Sequence, residues 1–171
     1  MRTSFLIVAS ALFVSGAASA QSIDDAQIAA IVVTANQVDI DAGKLASSTS
    51  SNADVKKFAQ TMVTDHTGVN TSATELVTRL KVTPKENATS ESLKSGGEKN
   101  VASLKTLKGA AFDKAYIDHE VAYHQQVLDA IDKTLIPNAQ NDELKALLVK
   151  VRPAFVAHLD HAKQLQSSLG K

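Results

Sequence analysis

Cysteine and tryptophan are absent from this sequence of 171 residues, and only 4% of the residues are aromatic. Without cysteine the chain has no disulfide bond, no thiolate ligand for a metal ion and no cysteine that could carry a lipid. The low aromatic content, together with abundant alanine, favours closely packed helices over a β-sandwich. We therefore expect a helical fold that is stabilised by side-chain packing alone.

The sequence also has no excess of positive or negative charge. The sequence has 18 basic and 18 acidic residues, and its formal net charge is zero. This balance gives no indication of binding to nucleic acid or to an anionic membrane surface. The sequence also lacks a glycine-rich phosphate loop and a G-x-S-x-G motif, so nucleotide binding and hydrolase chemistry have no support.

The first twenty residues have the layout of an export signal. Arg2 precedes an apolar run from Phe5 to Val14, and residues 18–20 are small. This arrangement is typical of a secretory signal peptide, which we expect to be cleaved after Ala20. The apolar run is shorter than the roughly 18 to 20 residues that span a membrane. The sequence therefore predicts an exported, periplasmic protein with no transmembrane segment and a single domain over residues 21–171.

Apolar residues recur every three or four positions in four long segments. This period predicts amphipathic helices at about residues 22–46, 54–81, 112–135 and 142–168. Residues 85–111 are more polar, and they predict a crossover segment with a short helix that lies over the bundle. Pro153 predicts a kink in the last helix. The predicted fold is all-α, a ferritin-like four-helix bundle with a short crossover helix between helices 2 and 3; a plain up-down bundle is the alternative.

Three of the five histidines lie on the apolar faces of three different predicted helices. His66, His124 and His158 are each near the middle of a helix, and Asp39 is near the middle of the remaining one. Glu120 precedes His124 by four residues and therefore shares its helix face. If the helices pack in register, Asp39 and the three histidines meet in one layer of the bundle, with Glu120 one turn from His124.

Three imidazoles with one or two carboxylates form a suitable site for zinc, copper, iron or manganese, since these ions accept nitrogen and oxygen ligands. The predicted ligands are His66, His124, His158, Asp39 and Glu120, with His161 as an additional candidate. Asp65 and Asp118, each next to a histidine in sequence, are candidates for orienting the imidazole rings. The alternative is a metal-free layer of hydrogen-bonded polar groups, which buried histidines also form.

Two known metal-binding motifs do not fit the spacing. The histidines of "HEVAYH" at 119–124 are five residues apart, whereas the zincin motif needs four. Helix 2 has no glutamate three residues before His66, so the paired E-x-x-H motif of di-iron bundles is missing. A ferritin-like oxidase is therefore the least favoured function, and we predict no catalytic residues.

The sequence resembles the bacterial exported family known as domain of unknown function 4142. The segments that carry the resemblance are "ANQVDIDAGKLA" at 35–46, "VKKFAQTMVTDHTGVN" at 55–70, "FDKAYIDHEVAYHQQVLD" at 112–129 and "VRPAFVAHLDHAKQL" at 151–165. Members of this family are similar to ferritin-like four-helix bundles and are labelled outer-membrane or periplasmic proteins. The resemblance thus implies a ferritin-like bundle, export and association with the outer membrane. It also places His66, His124 and His158 where the family typically has histidine.

Two functions of different classes follow from these observations. The first is a periplasmic bundle that binds a divalent transition metal in its core. The second is a metal-free structural or interaction module of the cell envelope, whose crossover face binds a protein partner.

Overall fold

The computed structural model describes residues 23–170, and every regular element in this range is a helix. The four long helices are α1 (Asp25–Thr49), α2 (Ala53–Leu80), α4 (Gly109–Ala130) and α6 (Asp142–Leu169). Helix α3 (Ala88–Leu104) connects α2 to α4, and a π-helical turn (Ile131–Leu135) leads from α4 into the short α5 (Ile136–Asn138). The all-α prediction is confirmed. The predicted signal peptide, residues 1–20, lies outside the described residues.

Four of the helices, α1, α2, α3 and α6, begin at side-chain caps that the sequence supplies. Asp24 forms a capping box with Gln27 at the start of α1, and Asn52 accepts hydrogen bonds from two backbone N–H groups at the start of α2. At the other end of α2, Lys81 adopts a left-handed conformation with φ of 56°. Helix α6 is continuous through Pro153, which is exposed. The carbonyl that loses its helical donor belongs to the exposed Val149, where water can replace the missing hydrogen bond.

The connections show a crossover rather than a plain up-down order. The backbone N–H of Lys85 donates to the carbonyl of Ala26 at 2.9 Å, so the chain leaves α2 beside the start of α1. Helix α3 then runs along α1 from this end, and its Gly97 lies against Val38. Helix α4 returns antiparallel to α1, and α6 runs antiparallel to α4. This is the order of helices in ferritin-like bundles, with α3 as the crossover helix.

The buried apolar side chains form two clusters at opposite ends of the bundle. One cluster contains Ile28, Leu76, Leu128 and Leu148, among others. The other contains Val55, Phe58, Phe112, Tyr116 and Leu165, among others. A layer of buried polar residues lies between the two clusters on every long helix. Within residues 23–170, no helix combines the length and the apolar character that crossing a membrane would require.

Candidate metal centre

The five residues predicted as ligands meet in the polar layer between the two apolar clusters. Asp39, His66, Glu120, His124 and His158 are all buried, and His158 is the most exposed at 6%. One ring nitrogen from each of the three histidines lies within 4.8 Å of the corresponding nitrogens of the other two. A second group consists of one ligand atom each from Asp39, Glu120 and His124, and these three atoms also lie within 4.8 Å of one another. The predicted convergence of these side chains is therefore present in the fold.

Close contact between α1 and α2 brings Asp39 to His66. A Cβ atom on Gly43 of α1 would lie only 3.0 Å from the carbonyl oxygen of Ala59 on α2, so glycine permits this approach. One turn away, an Asp39 carboxylate oxygen lies 3.4 Å from His66 Nε2. The small residues of the two helices thus set the register of the site.

Each of the three imidazoles is held by a hydrogen-bond acceptor at one ring nitrogen. His66 Nδ1 lies 2.7 Å from the side-chain oxygen of Asn36, and His124 Nδ1 lies 3.0 Å from the backbone oxygen of Glu120. His158 Nε2 lies 2.9 Å from a carboxylate oxygen of Asp65. Because all three partners are acceptors, these ring nitrogens carry the hydrogen. The opposite nitrogens then present lone pairs.

Within residues 23–170, those opposite nitrogens have no hydrogen-bond partner. His66 Nε2, His124 Nε2 and His158 Nδ1 are all buried and unpaired. A buried polar atom without a partner is unfavourable and is uncommon in folded proteins. Three such atoms, on three rings that are oriented by their other nitrogen, form the arrangement that a protein uses to present imidazoles to a metal ion.

The amide of Asn36 is itself fixed in orientation. Its Nδ2 donates to the backbone oxygen of Val32 at 2.7 Å, which leaves Oδ1 facing His66. Asn36 was not among the residues singled out from the sequence. The available signal was a polar residue on the otherwise apolar face that includes Val32, Ala35 and Val38.

Two buried carboxyl groups complete the layer. All four carboxyl oxygens of Asp39 and Glu120 are buried, and none has a hydrogen-bond partner in the part of the chain that the structure describes. Two carboxyl groups can bond to each other only if one of them holds a proton. Burial raises the pKa of Asp39 well above its usual value, and the nearby Glu120 raises it further. Burial also raises the pKa of Glu120, to about 8.

The pKa values of the three histidines are shifted in the opposite direction, below their usual value. Burial lowers the pKa of His66 to about 2 and that of His124 to about 4, and the neighbouring imidazoles add to both effects. The pKa of His158 is also lowered by burial, although its bond to Asp65 opposes the shift. The three rings are therefore neutral at pH 7, which is the form that binds metal ions.

Of the two aspartates that the sequence offers as orienting residues, Asp65 bonds to a histidine ring and Asp118 does not. Asp65 orients His158 on α6 rather than its neighbour His66, because adjacent residues on a helix point about 100° apart. Asp118 orients no histidine; it bonds to Lys114 and Gln166 at the surface.

Two other histidines lie at the edge of the site. His161 is exposed, with its ring centroid 5.2 Å from that of Phe58, and it does not belong to the converging group. His119 was not predicted as a ligand. Its Nδ1 is buried without a partner 4.0 Å from a Glu120 oxygen, and its ring stacks on Tyr123.

The comparisons with known proteins bear on the whole chain. No curated protein and no solved structure matches it. The family model described as "Domain of unknown function (DUF4142)" matches residues 12–165, which include all of α1 to α5 and most of α6. The chain therefore belongs to the DUF4142 family.

Proposed function

We propose that this protein binds one divalent transition-metal ion in the core of its helical bundle. The ligands in this proposal are His66, His124 and His158, with Glu120 or Asp39 completing the coordination. Two observations carry the proposal: one nitrogen from each of the three rings lies within 4.8 Å of the other two, and each ring is held at one nitrogen while its other nitrogen is buried and unpaired among the described residues.

The distances suit a bound ion. A tetrahedral ion with bonds of about 2.0 to 2.1 Å to nitrogen needs about 3.4 Å between its ligand nitrogens. Nitrogens that already lie within 4.8 Å of one another reach this separation through small ring movements. Nitrogen and oxygen ligands without sulfur are compatible with zinc, copper, iron and manganese.

The charges of the site suit a single ion. Three neutral imidazoles and two ionised carboxylates carry two negative charges, which one divalent cation balances. A second cation would leave an uncompensated positive charge in a buried layer, which is costly. We therefore expect one ion per chain.

The metal-free alternative leaves more polar atoms unsatisfied. A proton shared between Asp39 and Glu120 would pair some of their oxygens, and a protonated Asp39 can donate to His66 Nε2, which lies 3.4 Å away. His124 Nε2 and His158 Nδ1 have no hydrogen-bond partner within the described residues. Buried polar atoms in the metal-free protein are energetically unfavourable unless they have a hydrogen-bond partner. A metal ion supplies that partner to all of them at once.

The first test is elemental analysis of the protein purified without chelators, followed by calorimetric titration with zinc and copper(II). We expect about one ion per chain and tight binding. His124→Ala should lose the stoichiometric binding, whereas His161→Ala, which removes an exposed histidine from the edge of the site, should retain it. Circular dichroism verifies that both variants keep their helical content.

Equal affinities in folded His124→Ala and in the unaltered protein would rule out the site as described. No bound metal and no heat of binding in the unaltered protein would favour the metal-free module. In that case binding to a protein partner in the cell envelope becomes the better-supported function.

The proposal also places the protein in the periplasm. It rests on the charged, apolar and small segments of residues 1–20, which precede the described residues. Amino-terminal sequencing of the protein from a periplasmic extract should begin at Gln21. A cytoplasmic protein that starts at Met1 would contradict export, and recovery with washed outer membranes would support association with that membrane.

A further inference from the structure

A small apolar cavity lies beside the histidine cluster. Its volume is about 70 Å³, and its wall includes Ile31, Ala130, Ile131, Leu148 and Phe155. These residues come from α1, α4, α6 and the π-helical turn. The cavity is therefore enclosed by the elements that form the apolar cluster at this end of the bundle.

The interior of the cavity offers no free polar group to hold water. Asn36 is the one buried polar residue on the wall, and both ends of its amide are already bonded, to Val32 and to His66. The other polar lining residues, Thr89 and Gln126, are exposed. A cavity lined in this way stays dry and accepts apolar molecules.

A polar cleft open to solvent adjoins the cavity. This cleft lies between α3 and α4, has a volume of about 480 Å³, and is lined by Gly96, His119 and other residues. Thr89, Leu93 and Gln126 line both the cleft and the cavity, so the two spaces adjoin. A small molecule can thus enter past these three side chains.

The cavity ends one side chain away from the imidazoles. The ring centroid of Phe155 is 5.0 Å from that of His66 and 5.9 Å from that of His124. Asn36, which also lines the cavity, holds His66 directly. A molecule in the cavity therefore contacts the residues that position the histidine cluster.

We propose that this cavity binds a small, uncharged, apolar molecule of the size of a dissolved gas, which enters through the cleft between α3 and α4. An apolar cavity of about 150 Å³ holds benzene or xenon, and a volume of about 70 Å³ suits a xenon atom or a molecule of two or three heavy atoms.

The test is a titration of the purified, metal-free protein with xenon, followed through the methyl resonances of isoleucine, leucine and valine in NMR spectra. We expect saturable shifts for the methyl groups of Ile31, Ile131 and Leu148, and small shifts without saturation elsewhere. Xenon does not coordinate the imidazole nitrogens, so this result is independent of metal binding. Absence of saturable shifts in the unaltered protein would overturn the proposal.

Variants identify the site of binding. Ala130→Leu extends a side chain into the cavity and should abolish the saturable shifts, whereas Ala122→Leu, the same change at an exposed position of α4, should leave them unchanged. Leu148→Ala enlarges the cavity and should increase xenon binding. Saturable shifts that persist in folded Ala130→Leu, or that do not increase in Leu148→Ala, would contradict this location.

Discussion

His66 Nδ1 lies 2.7 Å from the side-chain oxygen of Asn36, and both residues are almost completely buried. The two residues lie on different helices and are 30 positions apart. This contact fixes the ring of His66 at Nδ1 and leaves its Nε2 3.4 Å from a carboxylate oxygen of Asp39. The asparagine is thus the group that makes one candidate ligand available, although it is not itself a ligand.

Asn36→Leu tests this relationship. The change removes the acceptor and leaves His66 Nδ1 without a partner, so we expect zinc affinity to fall by about 10-fold to 100-fold. The free energy of unfolding should also decrease, by about 1 to 3 kcal/mol, because a buried donor loses its bond. Calorimetric titration measures the affinity, and thermal unfolding of the metal-free protein measures the stability.

Asn70→Leu is the matched control. Asn70 also bonds to the backbone of α1, at Val33, but it does not contact the cluster. Its replacement should leave zinc affinity within about twofold. A similar loss of affinity in both variants would show that Asn36 contributes only to general stability.

A second prediction concerns the two aspartates that neighbour histidines in sequence. Asp65→Ala removes the acceptor that orients His158 and should weaken metal binding by about 10-fold or more. Asp118→Ala removes only surface contacts with Lys114 and Gln166 and should have no effect on binding. Titrations of both variants under identical conditions compare them directly; equal affinities would contradict the role assigned to Asp65.

The sequence predicts the polar layer well because helical periodicity fixes which face each residue occupies. His66, His124 and His158 interrupt apolar stripes near the middle of three helices, so any antiparallel or parallel packing in register brings them together. The five predicted ligands required no knowledge of the connections. Helical periodicity thus predicts where these side chains lie, whereas it does not predict which acceptor orients which ring. That they bind a metal ion stays a prediction.

The order of the helices depends on contacts that periodicity does not encode. Helix α3 is mostly polar, and the feature that docks it on α1 is the absence of a side chain at Gly97. The orienting role of Asp65 likewise depends on a contact across two helices that are distant in sequence. The predicted third helix, 112–135, ends in a π-helical turn. The spacing of apolar residues in the sequence does not predict this turn either.

The pH dependence of stability should differ between the metal-free and metal-bound protein. Burial raises the pKa of Glu120 from 4.5 to about 8 in the folded chain. A raised carboxyl pKa means that the stabilising contribution is complete below pH 4.5 and is lost as the pH rises through about 8. Below about pH 6.5 the histidines act in the opposite direction, because burial lowers the pKa values of His66, His124 and His158 in the folded chain. The thermal midpoint of the metal-free protein should therefore fall as the pH rises above 6.5 and level off above about pH 8.

Glu120→Gln cannot ionise, so this variant should show a smaller decline between pH 6.5 and 9. A bound metal ion holds the carboxylates in their ionised form, and zinc should likewise reduce the decline. Differential scanning calorimetry at several pH values checks both expectations. Glu98→Gln, at an exposed position of α3, serves as the control and should retain the full decline.

The crossover helix provides a final prediction from two adjacent glycines. A Cβ atom on Gly97 would lie 2.7 Å from a methyl carbon of Val38, whereas a Cβ atom on Gly96 would meet nothing within 4 Å. Gly97→Ala should therefore push α3 away from α1 and lower the free energy of unfolding by about 1 to 3 kcal/mol. Gly96→Ala should raise it by about 0.5 to 1 kcal/mol, because alanine favours the helix without a steric cost.

Urea denaturation of the two variants measures these opposite effects. The helix propensity gained is the same at both positions, so the difference between the variants isolates the contact between α3 and α1. Gly97→Ala combined with Val38→Ala should recover part of the lost stability, since the smaller side chain makes room for the added methyl group. Equal stabilisation by Gly96→Ala and Gly97→Ala would mean that α3 does not dock on α1 at this point.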